Sequence, residues 1–197
     1  NLSSSIVNTL FNFQLMHFAG EDGVAAYGTL MYVNFIFVAI FLGYSIGSAP
    51  IVSYHYGARN SEELKNLLTK SLKMIGVWGV ALFALAQLIA SPLARIFVGY
   101  DPNLFDLTRH GFRIFCLAFL VNGFNIYGSS FFTALNNGLL SALISFLRTL
   151  VFQIASVLLL PMIFGIDGIW GAVFVAEILT LCVTIICLAK KQKVYHY

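Results

Sequence analysis

A chain of 197 residues that is 59% hydrophobic and 10% charged, with a mean hydropathy of +0.88, carries more apolar surface than one water-soluble core of this size can hide. Part of its solvent is therefore lipid. The net charge of +3 is a poor argument for nucleic acid, because the basic residues sit between apolar runs, where membrane topology accounts for them.

Six apolar stretches, near residues 1–18, 28–51, 72–91, 110–134, 139–162 and 166–189, are each long enough to cross a hydrocarbon core that needs about 20 residues of helix. The sequence thus predicts an all-α, polytopic membrane protein, a bundle of six transmembrane helices. The first stretch begins at Asn1 with no charged region ahead of it, so we expect no signal peptide and a fragment that starts inside a helix. It aligns Asn1, Ser5, Asn8 and Asn12 on one face. Gly20-Glu-Asp-Gly23 separates it from the second, which aligns Asn34, Ser45 and Ser48 and carries Gly43 and Gly47 as a G-x-x-x-G, a pattern that lets helices approach closely in membranes.

The chain then leaves the bilayer through Pro50 and Gly57. Asn60 can cap a new helix with Glu63 as its capping-box partner, and Ser61 to Lys73 sets Leu64, Leu67, Leu68 and Leu72 on one stripe, as in a short helix lying on the surface. The third stretch holds little that is polar beyond Gln87. Pro92 to Tyr100 reads as an interfacial segment or a loop. The fourth aligns Asn122, Asn125, Ser129, Thr133 and Asn136. After Asn136-Asn-Gly138 the fifth aligns Ser141, Ser145 and Arg148, and after Gly165-Ile-Asp-Gly168 the sixth aligns Glu177, Thr180 and Thr184.

Six crossings put both ends on one side. Arg59, Lys65, Lys70 and Lys73 share that side with Lys190-Lys-Gln-Lys193, which the positive-inside bias makes cytoplasmic. Amides facing lipid would lose hydrogen bonds, so the stripes face protein or water. Single residues read as glue between helices; the long stripes of the first and fourth helices read together as the wall of a solvated cavity. Asn8, Asn12, Asn34, Asn122, Asn125 and Ser129 are the expected lining, with a cysteine at Asn122 expected to be open to water-soluble reagents and one at Leu82 closed. Phe11, Phe37, Phe41, Phe124 and Tyr127 suit packing or an apolar wall. Arg148 and Glu177 are the clear charges deep in the spans, and each needs a partner or water, so we expect them to pair, directly or through one water. Cys116, Cys182 and Cys187 read as small buried hydrophobes, and the four histidines as interfacial or tail residues. No nucleotide, zinc, haem or catalytic-triad motif occurs, so neither a cofactor nor an enzyme is expected.

Gly47-Ser-Ala-Pro-Ile-Val-Ser-Tyr-His-Tyr-Gly-Ala-Arg-Asn60 resembles the end of a lobe's second helix in the multidrug and toxic compound extrusion (MATE) family. Phe131-Phe-Thr-Ala-Leu-Asn-Asn-Gly138 resembles the family's loop two helices later. Leu147-Arg-Thr-Leu-Val-Phe-Gln153, Leu160-Pro161, Gly165-Ile-Asp-Gly-Ile-Trp170 and Ala176-Glu177 resemble its last two helices. The resemblance implies the C-terminal lobe, residues 1–197, of a twelve-helix transporter whose N-terminal lobe is missing here. It implies export of organic cations or drugs from the cell membrane by alternating access, coupled to inward H⁺ or Na⁺. Some members bind the coupling cation with carboxylates on the first and fourth helices of this lobe. Asn8, Asn12, Asn122 and Asn125 are amides, which fits the branch resembling MepA and DinF, where an acidic residue of the other lobe is implicated. A flippase for lipids or polysaccharide precursors, and a structural membrane protein without transport, are the alternatives.

Overall fold

The structure, a computed structural model, describes residues 2–195 and 197; Asn1, His196 and the side chains of Leu2 and Lys193 lie outside the described residues. The first two predicted spans fall in one helical run, Leu2–Gly57, broken at Gly20, whose φ of 64° and ψ of −151° are not helical. Residues 2–19 are α1 and 21–57 are α2. The chain reverses there: the rings of Phe11 and Tyr27 stack 5.2 Å apart, whereas 16 residues of straight helix would span about 24 Å. That backbone region is essentially closed to side chains, at a cost of about 1–3 kcal/mol. Gly20→Val is therefore expected to lower the melting temperature of the purified protein by several degrees.

Four further helices follow: α3 (Ser61–Val98), α4 (Pro102–Ala134), α5 (Gly138–Phe164) and α6 (Ile166–Tyr195). Each packs antiparallel to its predecessor, as contacts spaced evenly about each turn require. Tyr44 donates to Ser71 Oγ at 2.9 Å between α2 and α3, and Gln87 donates to Cys116 Sγ at 3.1 Å between α3 and α4. The hydroxyls of Ser129 and Ser141 meet at 2.9 Å between α4 and α5. Gly168 of α6 lies against Leu160 of α5. Among the described residues the layout is an up-and-down bundle of six helices, with the run Leu2–Gly57 counted as two. At one end Tyr56 meets Tyr195, with ring centres 5.7 Å apart, so the Arg59 turn and the C-terminal lysines share that end. At the other, His110 Nε2 lies 2.7 Å from Asp167 Oδ1.

Helix α4 is central. Of its most apolar 18 residues 61% are buried, against 17–28% in the other runs. Glycines on α4 let neighbours close in: a Cβ at Gly111 would meet the Trp170 ring at 2.7 Å, and one at Gly123 would meet Phe41 at 2.6 Å. Trp170, Phe119, Phe131, Phe132 and Tyr127 fill the interior around it. The other helices expose large apolar side chains such as Phe13, Ile36, Leu88, Met162 and Ile163, a surface suited to lipid.

Pro161 has no N–H to donate to the Val157 carbonyl one turn back. Gln14 of α1 donates to it instead, at 3.3 Å. Gln14→Leu strands that carbonyl and is expected to cost about 1–3 kcal/mol, read as a lower melting temperature.

Four expectations are corrected. Ser61 to Lys73 is not a separate surface helix but the first turns of α3, which Asn60 caps by accepting from Glu63 N at 3.2 Å and which runs on through Pro92 to Val98. Ser91-Pro92 does not end it, so the stretch from Pro92 to Val98 is the last part of this helix and not a separate interfacial segment or loop. Gly43 and Gly47 face open space: a Cβ at either position would meet no atom within 4 Å, because α2 turns that strip away from the bundle. Cys182 is exposed rather than buried.

Candidate functional site

An underwound, π-helical turn, Leu147–Phe152, interrupts α5 and carries Arg148. Such turns loosen the helix where a side chain must be re-aimed. Arg148 reaches α6 directly: its Nη2 and Nε lie 2.7 and 2.8 Å from Glu177 Oε1. Asn125 of α4 donates through Nδ2 to Glu177 Oε2 at 2.7 Å and to the Glu177 carbonyl at 2.8 Å, and Thr184 donates to Asn125 Oδ1 at 3.0 Å. The Glu177 side chain is 2% exposed and that of Arg148 20%. The carboxylate is thus enclosed with both oxygens engaged, and the guanidinium stands between it and the outside.

Arg148 also lines two crevices on the bundle's face. One, of about 190 Å³, lies among α1, α2, α4, α5 and α6, with Ser4, Asn8, Tyr27, Asn34, Thr149 and Gln153 as its further polar lining. Tyr27 donates to Asn8 Oδ1 at 3.1 Å. The other, of about 280 Å³, lies among α2, α4 and α5 and contains Ser129.

Of the six residues expected to line a cavity, the structure brings Asn8, Asn34 and Ser129 to these crevices. Asn12 is exposed on α1 outside them. Asn122 and Asn125 are corrected: they are 3% and 0% exposed, packed inside the bundle. Asn125 serves the Glu177 network, and Asn122 Oδ1 is buried without a hydrogen-bond partner. The reason is the central place of α4, whose polar stripe meets protein on the side where a peripheral helix would meet water. Phe11, Phe37, Phe41 and Tyr127 are core residues, at 1–6% exposure, and Phe11 also forms part of the first crevice's wall.

The polar stripes do not mark Tyr27, Thr149 and Gln153 as lining, although Thr149 and Gln153 lie within the family-like stretch from Leu147 to Gln153. In a regular helix at 100° per residue, Arg148 and Gln153 stand about 140° apart; the π turn brings both to one crevice, and no residue pattern announces it. Tyr27 was hidden by its place at the span's edge.

The fold and this site define a polytopic α-helical membrane bundle with a buried ion pair opening onto polar crevices. Residues 1–159 match the family MatE, and the chain belongs to it. It is 24% identical over 183 residues to the probable multidrug resistance protein YoeA of Bacillus subtilis, covering 90% of this chain and 38% of that protein. It is 24% identical over 197 residues to the FAD transporter of Shewanella oneidensis, covering 98% of this chain and 42% of that one. The chain therefore spans about two-fifths of the curated relatives it matches. Among solved structures, it superposes with a TM-score of 0.90 on both an outward-facing and an inward-facing multidrug resistance MATE family transporter of the MOP superfamily. Identity is 20% in each case, over 98% of this chain and 44% and 45% of those chains.

Proposed function

We propose that this chain is the C-terminal lobe of a secondary active exporter of amphipathic or cationic organic compounds, working by antiport with H⁺ or Na⁺ across the cell membrane. The observation that carries the reading is the polar crevice of Asn8, Asn34, Arg148 and Gln153, open on the face of a bundle otherwise clad for lipid. A second, N-terminal lobe would cover that face and complete a cleft. The relatives named a multidrug resistance protein and an FAD transporter, each more than twice as long as the match, support both the missing lobe and the organic cargo. Equal likeness to inward- and outward-facing structures supports a lobe that keeps its fold while the cleft alternates. The positive-inside bias supports a cytoplasmic side for the lysine-rich end and the C-terminus.

The test is transport by the full-length protein in proteoliposomes, with a fluorescent organic cation and an imposed pH or Na⁺ gradient. Gradient-driven flux of the dye supports the reading; retention of the dye under both gradients overturns it. In a background without Cys116, Cys182 and Cys187, a cysteine at Asn8 is expected to react with a water-soluble thiol reagent at least tenfold faster than one at Asn125. Cysteines at Asn122 and Leu82, both 3% exposed, are expected to be protected alike.

A further inference from the structure

We infer that the second crevice, among α2, α4 and α5, is a subsite for an oxyanion, a carboxylate or phosphate group. Its polar lining is Ser45, Ser129, Ser130, Thr133, Ser145 and Arg148, with no carboxylate among the residues that form it. The hydroxyls of Ser129 and Ser145 stand 2.9 Å apart, and Thr133 Oγ1 lies 2.7 Å from Ser141 Oγ, which itself meets Ser129 Oγ at 2.9 Å. The Ser45 hydroxyl is the unspent member. The residue is 2% exposed, and its Oγ has no hydrogen-bond partner.

The charge of the crevice decides what it can hold. A guanidinium has five N–H donors. Two are engaged by Glu177 Oε1, one from Nε and one from Nη2, which leaves three. Glu177 presents no free oxygen, since Asn125 takes the other. Ser130 Oγ is engaged, donating to the Ser45 carbonyl at 3.2 Å, so the crevice meets its ligand with three spare guanidinium donors, the Ser45 hydroxyl and no anionic acceptor. A metal or organic cation would face Arg148 without compensation, and an apolar group would leave Ser45 unpaired. A planar or tetrahedral oxyanion can accept from the spare guanidinium N–H groups and from Ser45 together, and does so strongly in a low-dielectric setting. Two sources share that chemistry: an acidic group on a transported molecule and the phosphate of a lipid headgroup. Only the first rests on the transport reading.

The test is equilibrium binding to the full-length protein in dodecyl maltoside micelles, which carry no phosphate, by calorimetry, with benzoate and phenyl phosphate as probes and uncharged benzamide as control. At least one anion is expected to bind tenfold or more tightly than benzamide. Ser45→Ala combined with Ser129→Ala is expected to weaken that binding about tenfold while benzamide is unchanged and the helical circular dichroism is kept. Equal affinities for anion and amide overturn the subsite, as does anion binding that the serine variants leave intact. A lipid source shows as loss of probe binding when phosphatidylglycerol is added to the micelles; a transported source shows as binding indifferent to that addition. No gradient is applied, so absent transport with intact anion binding removes the exporter reading and keeps the subsite.

Discussion

Glu177→Gln is expected to destabilise the protein by about 3 kcal/mol or more, the range measured when one partner of a buried ion pair is removed. The substituted amide has one acceptor oxygen; held on Asn125, it turns its NH2 toward Arg148, whose Nη2 and Nε both lose the oxygen they bind. A lone guanidinium inside a span must then draw water or lipid headgroups to itself. Arg148→Gln alone leaves the nearly enclosed carboxylate unpaired and is expected to be as harmful or worse. The double variant is expected to be more stable than the sum of the singles predicts, by about 1–3 kcal/mol, because it removes both charges together. Melting of the four proteins in detergent measures this coupling; strictly additive losses would show that the pair contributes nothing.

Gly168→Ala is expected to be comparably damaging for a steric reason. A Cβ at that position would strike the Leu160 carbonyl oxygen and come within 2.5 Å of its carbon and 2.7 Å of Pro161 N. All three are backbone atoms, so no rotamer change relieves the contact, and α5 and α6 must separate. Overpacking of this kind costs about 1–3 kcal/mol where side chains can yield; here the upper end, a fall of roughly 6–12 °C in melting temperature, is expected. Gly43→Ala, where nothing lies within 4 Å, is the control and is expected to be neutral or slightly stabilising to the isolated bundle.

Much of the bundle was legible because membrane helices are written by length and hydropathy. Runs of about 20 apolar residues located the spans, and Gly20, Asn60 and Asn137 located turns that the structure places at the same residues. Arg148 and Glu177 stood out because each is costly alone, and the structure joins them. What could not be read was which helix the others surround. An amide stripe looks the same whether it meets a neighbour or water, so the stripe alone points Asn122 and Asn125 to a cavity, whereas they belong to the interior. The G-x-x-x-G at Gly43 and Gly47 misled for the same reason: small residues permit close approach, but only a partner uses it. The glycines in close contact between helices, Gly79, Gly111, Gly123, Gly128 and Gly168 among them, follow no such spacing. The continuity of α3 and the π turn in α5 depend on packing and leave no local mark.

The placement of opposite charges on adjacent antiparallel helices bears on how the chain enters its membrane. Each charge alone would add about 2.5–3.5 kcal/mol to the insertion of its helix. Because Arg148 and Glu177 sit on the two arms of one hairpin, closed by the turn at Gly165, they can neutralise each other as soon as both arms have been synthesised. The last two helices are then best delivered to the bilayer as a single neutral unit, and a chain stopped between them leaves the ribosome with an unmatched cation held at the translocon.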